Sequence, residues 1–486
     1  MHSEIRNLEP KTLWNHFCNI NAIPRASKKE EKIVAFMVAF GKKLKLETTT
    51  DAVQNVIIRK PATKGLENCK TVVLQSHLDM VHQKNETTVF DFATQGIEME
   101  VNDGWVQAKG TTLGADNGIG VAAIMSILSS TDIPHPPIEA LFTIDEETGM
   151  TGAMELQPNT LTGAILLNLD TEDDDEISIG CAGGVDVTAA STFKEVLPVS
   201  NSTGIHITVK GLQGGHSGMD IHKGLGNANK ILNRILLHLN QNIDFQIEKI
   251  SGGNLRNAIP RESETTLAIP NSTLSLFAKE FSKIQTEIKT EFAVNEADLK
   301  LNFFEVSTPK KVIDKKDQSN LLHSIAALHN GVFSMNAKIT DLVETSNNLA
   351  RVTVEDSCIE IACLTRSFSE SGKKNLVNSL TSVFKLAGYQ TKVSGDYPGW
   401  APNPNTAICK ILNNIYQDLF QDTPNIMACH AGLECGILGT HYPDMEMISF
   451  GPTIRGAHSP DEKVNIQSTQ KFWKYFLEIL KNIPEN

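Results

Sequence analysis

An α/β fold carrying a large inserted α+β domain is the architecture this sequence predicts, on three observations. Apolar strands rich in β-branched residues alternate with amphipathic helices over residues 1–185. Three of those strands run directly into acidic or imidazole side chains. From residue 186 to 393 the texture changes to half-polar strands and longer helices, and the first pattern resumes over 394–486. At 486 residues the chain exceeds one ordinary core, so two domains or three are expected.

Composition narrows the class. Hydrophobic residues are 40% and charged residues 21%, as in folded globular proteins, and the formal net charge is −13. That balance argues against a nucleic-acid partner and gives no attraction to anionic membranes. No run is long and apolar enough to span a bilayer. The start, Met1-His2-Ser3-Glu4-Ile5-Arg6, lacks the basic end and apolar stretch of a signal peptide. Eight scattered cysteines without a C-x-x-C pair fit reduced thiols, so a cytoplasmic location is expected.

In chain order, residues 8–22 read as an amphipathic helix stopped by Pro24. A second helix is expected from Glu30 to Leu44, with Ser27 as its cap. A strand over 53–59 and a Pro/Gly loop lead to Val72-Val73-Leu74-Gln75-Ser76-His77-Leu78-Asp79. Because strand side chains alternate, His77 and Asp79 face the same way, which suits a metal ligand oriented by a carboxylate. After an irregular excursion over 85–110, the glycine-rich stretch Gly110-Thr111-Thr112-Leu113-Gly114-Ala115-Asp116-Asn117-Gly118-Ile119-Gly120 opens a small-residue helix. It contains neither G-x-G-x-x-G nor a Walker Gly-Lys-Ser/Thr, which excludes the usual nucleotide loops. The strand over 138–144 ends in Asp145-Glu146-Glu147, and that over 164–169 ends in Asp170. Adjacent carboxylates raise one another's pKa, and a cation or catalytic need commonly explains them. In open, largely parallel α/β sheets, sites form at such carboxyl ends.

The inserted region contains the turn Gly214-Gly215-His216-Ser217-Gly218, a helix over 227–239, strands including 264–269, and a helix over 274–292. One strand is expected over 351–364, ending in Thr365-Arg366-Ser367, followed by a helix over 369–386. Asn257-Ala258-Ile259-Pro260 and Asn347-Asn348-Leu349-Ala350 precede strands in a similar way, a weak internal echo suggesting two related halves. The last region holds a helix over 406–419, the segment Cys429-His430-Ala431-Gly432-Leu433-Glu434-Cys435, a strand over 445–450, the loop Gly456-Ala457-His458-Ser459-Pro460, and a closing helix over 466–480.

Together these motifs resemble the M20 family of zinc aminopeptidases, dipeptidases and carboxypeptidases, most closely its aminoacyl-histidine (Xaa-His) dipeptidase branch. The resemblance covers nearly the whole chain. It implies a mixed-sheet zinc-peptidase catalytic domain (1–185 and 394–486) with an inserted α+β lid domain (186–393). It further implies two divalent ions, zinc first, with Co²⁺ or Mn²⁺ able to substitute. His77 would bind one and His458 the other, Asp116 and a water would bridge them, and Glu147 and Asp170 would each complete one shell. Asp79 would orient His77 and Glu146 would be the general base. His216 would stabilise the oxyanion, and Arg366, assisted by Asn257, would clamp the terminal carboxylate of a dipeptide. His430 and Glu434 belong to a motif of this branch and are taken as substrate contacts without an assigned role.

The insertion is about twice the lid size of simpler family members, and only its second half carries the arginine. One chain is therefore expected to supply a complete set of site residues, whether or not it forms a homodimer. The expected activity is hydrolysis of Xaa-His dipeptides, carnosine included. A broader di- or tripeptidase and a peptide-binding module without catalysis are the alternatives. The filled ligand positions and Glu146 oppose the last.

Overall fold

The computed structural model describes residues 3–486. The sequence reading at Met1 and His2 lies outside the described residues. The chain forms two compact units, one comprising Met1–Cys181, Trp400–Ala428 and Leu433–Asn486, the other Ala182–Gly399 with Cys429–Gly432.

The first unit is built on an eight-stranded sheet. Its centre is Val72–His77, buried along its whole length and paired in parallel with Ile138–Thr143 and Ile165–Asn168. Glu446–Ser449 extends the parallel set beside Ile165–Asn168. The margins are antiparallel: Glu47–Thr50 pairs with Val56–Lys60, which pairs with Ile138–Thr143, and Glu176–Cys181 pairs with Glu446–Ser449. The sheet is therefore mixed, with a parallel middle whose carboxyl ends carry the charged motifs.

The helix Ala115–Ser129 is buried on nearly every side and contacts both Val72–His77 and the helix Lys11–Asn21. All-round apolarity is what a helix enclosed in a core requires. Its glycines are forced by close packing: a Cβ on Gly114 or Gly118 would lie 2.3 or 2.7 Å from Arg25 Nη2. The helix Glu31–Lys43 corrects one expectation. Ser27 does not cap it; Ser27 Oγ donates instead to Asp79 Oδ2 at 2.8 Å. A buried carboxylate is the stronger acceptor for that hydroxyl.

The second unit holds an antiparallel sheet in the order Lys300–Val306, Ser202–Lys210, Ser263–Pro270, Gln246–Gly252, Val343–Glu355, Cys358–Ser367, Gly183–Thr192, Gln390–Tyr397. Four long helices, Ala228–Leu239, Leu274–Glu291, Lys315–Ala327 and Glu370–Leu386, contribute to its separate hydrophobic core. Asn227 and Ser369 cap the first and last by accepting backbone N–H groups.

The single strand expected over 351–364 is in fact a hairpin. Val343–Glu355 and Cys358–Ser367 pair antiparallel across a two-residue turn, Asp356-Ser357, both with positive φ (50° and 61°). That conformation belongs to type I′ turns, whose usual signature is Asn-Gly or Asp-Gly, and Asp-Ser does not announce it. The two echoed segments lie side by side, since Asn348 Nδ2 donates to the carbonyls of Arg256 and Ala258.

Candidate metal centre

Strand ends and one glycine loop assemble a compact acidic and imidazole cluster in the first unit. Asp116 Oδ1 lies 3.1 Å from His77 Nε2, and its other oxygen, Oδ2, lies 3.2 Å from His458 Nε2. His77 Nε2 is also 3.5 Å from Asp170 Oδ1, and His458 Nε2 is 3.0 Å from Glu147 Oε2. Potential donor atoms of His77, Asp116 and Asp170 lie within 4.8 Å of one another, as do those of Asp116, Glu147 and His458. A third such group joins His77, Glu146 and Glu147, so Glu146 stands at the edge of the same cluster.

The structure thus brings together all five residues the sequence proposes as ligands. The donor set suits divalent cations. Each imidazole Nε2 faces two carboxylates but can donate only one proton, whereas a cation accepts lone pairs from all three groups. Two buried carboxylate oxygens, Glu147 Oε1 and Asp170 Oδ1, have no hydrogen-bond partner among the described residues. Such orphaned atoms are costly unless an ion or water meets them.

Electrostatics point the same way. Burial, reinforced by neighbouring carboxylates, drives the Glu146 carboxyl well above its ordinary pKa, and the Asp170 carboxyl rises to about 6. Burial also pushes Asp116 upward, but hydrogen bonds from His458 and His77 win and hold it below the usual carboxylate range. Hydrogen bonds to Asp116 and then Glu147 raise His458 to about 11.

Asp79 is fully buried and does more than the sequence suggests. Its Oδ1 lies 3.3 Å from His77 Nδ1 and accepts the Glu146 N–H at 3.0 Å, while Oδ2 accepts the Glu147 N–H at 3.2 Å. One carboxylate thereby orients the His77 ring and fixes the turn carrying the acid pair. That turn starts at Asp145 in left-handed conformation (φ 53°), held by Thr148 and Thr151. His458 is also left-handed (φ 64°), a conformation rare outside glycine and common at functional positions.

Glu434 is 0% exposed. Its Oε2 accepts from Gln75 Nε2 and Thr143 Oγ1, each at 2.6 Å, and burial lifts its carboxyl to about 8. Glu434 is therefore placed inside the first unit's core, beneath the strand ends.

The second unit gathers the other candidates. His216 Nδ1 accepts the N–H groups of Gly218 (3.3 Å) and Met219 (3.0 Å), leaving Nε2 as the ring's donor. Arg366 is 4% exposed and donates to two hydroxyls, Tyr397 Oη at 2.9 Å and Ser217 Oγ at 3.3 Å, with His216 Nε2 lying 3.4 Å from its Nη2. Among the described residues it forms no salt bridge, and Asp186, which acts on it at longer range, is paired with Arg256 at 3.2 Å. Asn257 is exposed and accepts the Ser217 N–H through its carbonyl at 2.8 Å, which sets it beside the His216 turn. His430 is buried, with Nε2 2.8 Å from Ser346 Oγ; burial, then the Arg366 charge, lowers its pKa to about 3.

Sequence reading misses Tyr397, Gln75, Arg25 and Glu462. Arg25 is buried and donates to the carbonyls of Leu78, Asp79 and Gly114. Glu462 is buried beside the cluster. Both are charged residues in polar loops, where a sequence shows no sign of burial.

The description Peptidase family M20/M25/M40 matches residues 73–482. The chain belongs to this family. This M20 peptidase is 44% identical over 483 residues to the cytosol non-specific dipeptidase of Escherichia coli (strain K12), with 99% of each chain covered. It superposes on the crystal structure of an aminoacylhistidine dipeptidase from Vibrio alginolyticus with a TM-score of 0.90 and 44% identity, covering 100% of this chain and 99% of that one. A tripeptidase from Staphylococcus aureus shares the fold, with a TM-score of 0.57, 18% identity, and 98% and 99% of the two chains covered. Membership in an M20 metallopeptidase family implies divalent metal ions, and the donor set described above fits them.

Proposed function

We propose that the protein is a dipeptidase that holds two divalent ions, zinc first, and hydrolyses Xaa-His dipeptides, carnosine included. The observation that carries this reading is the Asp116 carboxylate, one oxygen toward His77 and the other toward His458, each histidine with its own further carboxylate. His77 and Asp170 would hold one ion, His458 and Glu147 the other, and Asp116 would serve both. When bound, such ions polarise a carbonyl oxygen and make a water easier to deprotonate.

The chain's own residues do the rest. Glu146 accepts the proton of the attacking water and returns it to the leaving amine. Asp79 keeps Glu146 and His77 in place. His216 Nε2–H donates to the developing oxyanion, and Arg366 with Asn257 binds the substrate's terminal carboxylate. A buried arginine that donates to two hydroxyls and has no salt bridge among the described residues supports that last role, because a guanidinium pairs well with a carboxylate. The E. coli relative's name, cytosol dipeptidase, supports a cytoplasmic workplace.

A second reading, broader di- or tripeptidase activity, is favoured by one comparison, since that relative is named non-specific. The test is a panel of carnosine, Gly-His, Leu-Gly and a tripeptide, assayed with metal-stripped protein to which Zn²⁺, Co²⁺ or Mn²⁺ is restored. Metal-dependent cleavage confined to Xaa-His dipeptides is the expected result. Comparable cleavage of Leu-Gly would replace it with the broader reading, and absence of cleavage in every arm would remove both.

A further inference from the structure

Glu462 lies four residues beyond His458 and is 2% exposed, yet no ion pair holds it among the described residues. Its carboxylate instead accepts four consecutive backbone N–H groups of the glycine loop: Leu113 and Gly114 on Oε2 at 2.7 and 2.9 Å, Ala115 and Asp116 on Oε1 at 2.7 and 3.2 Å. An ordinary helix cap is local and satisfies the amides of the first turn. Here the acceptor comes from 346 residues downstream, on the loop that carries His458, and two of its donors precede the helix. That loop is tied to itself, with Ser459 Oγ donating to the Gly456 carbonyl and the Glu462 N–H donating to that of Ser459. Arg25 makes the matching link on the other side, from the Leu78 and Asp79 carbonyls to that of Gly114.

We infer that Glu462 is a positioning residue that fixes Asp116 relative to His458, and so builds one half of the dinuclear centre before metal arrives. Arg25 fixes Asp116 relative to His77 and builds the other half. The inference rests on the two-metal reading above. The protein side of the centre is then two stapled pairs of segments that share the Asp116 loop. Replacing Glu462 with glutamine turns an amide –NH₂ toward two of the four N–H donors, so the loop loses half of its acceptors.

The test is stepwise metal binding to the full-length, metal-stripped protein, measured with Zn²⁺ against a competing chelator. Glu462→Gln should weaken, by about 10- to 100-fold, the same step that His458→Ala removes, and leave the other step within about twofold. Arg25→Lys should weaken the step that His77→Ala removes, and Glu462→Asp should fall between wild type and Glu462→Gln. Unchanged constants, or both steps weakened by a common factor as general destabilisation would produce, overturn the inference. A wild-type protein taking up fewer than two equivalents removes the two-metal reading and this inference with it. Amide exchange on wild type gives an independent arm. Leu113–Asp116 should exchange slowly in the metal-stripped protein; protection that arises only after Zn²⁺ is added overturns the inference without any variant.

Discussion

Asp79 holds Glu146 through the backbone: its Oδ1 accepts the Glu146 N–H at 3.0 Å, the same oxygen lying 3.3 Å from His77 Nδ1. Removing Asp79 should therefore disturb the proposed ligand His77 and the proposed base Glu146 together. Asp79→Ala should lower kcat by about 10- to 100-fold and weaken metal binding by a similar factor. Asp79→Asn, which keeps one acceptor oxygen, should be milder. Parallel kinetics and metal analysis check both.

Glu146→Gln should separate chemistry from binding. Loss of a positioned base costs about 10²- to 10⁴-fold in kcat. Metal content should persist, because His77, Asp116, Glu147, Asp170 and His458 all remain. Undiminished turnover would end the assignment of Glu146 as base.

Arg366→Ala should act on substrates with a free terminal carboxylate. A charge-assisted hydrogen bond contributes about 1.5–3 kcal/mol, or about 10- to 150-fold in kcat/KM. A dipeptide amide, already slow with wild type, should be nearly insensitive to the change. An equal loss on both substrates would mean that Arg366 acts only by shaping the fold around Tyr397 and His216.

Complementation tests whether one chain supplies the whole set. Equimolar His216→Ala and Arg366→Ala proteins, mixed and incubated, should stay as inactive as each alone. Recovered activity would place the two residues of a working site on different chains.

His430 gives stability a pH dependence. Burial lowers its pKa from 6.5 to about 3, so between those values the unfolded chain binds a proton that the folded chain does not. The stability this contributes is complete above about pH 6.5 and is lost progressively as pH falls toward 3. The slope approaches about 1.4 kcal/mol per pH unit. Denaturation of wild type and His430→Asn at pH 7, 6 and 5 should show wild type losing its advantage as pH falls. A gap that widens would mean the buried ring is charged.

The proposed ligands are legible because their chemistry is concentrated in short motifs at or near strand ends. His77 ends a buried strand, and Glu147 and Asp170 follow shortly after two others, so proximity to the carboxyl ends of apolar runs marks all three. Ser27 carries the signature of a cap, but its distant partner, Asp79, outcompetes the helix start beside it. The Asp356-Ser357 turn was missed because two non-glycine residues take a left-handed conformation there, held by the ladder around them. Arg25, Gln75, Tyr397 and Glu462 could not be singled out, since each acts through backbone or side-chain groups brought near only by tertiary folding.

Arg25 also bears on how the protein can be divided. The family match begins at residue 73, and every proposed ligand and the proposed base lie within it. The guanidinium that ties Leu78 and Asp79 to Gly114 lies 48 residues earlier. A fragment trimmed to the matched region would keep every residue proposed to touch metal or substrate while losing the strut between two of the motifs. If Arg25 sets the Asp116 loop as inferred, the smallest autonomous catalytic piece of this chain should start upstream of Arg25, and a boundary drawn from motif content alone should leave the centre mis-set.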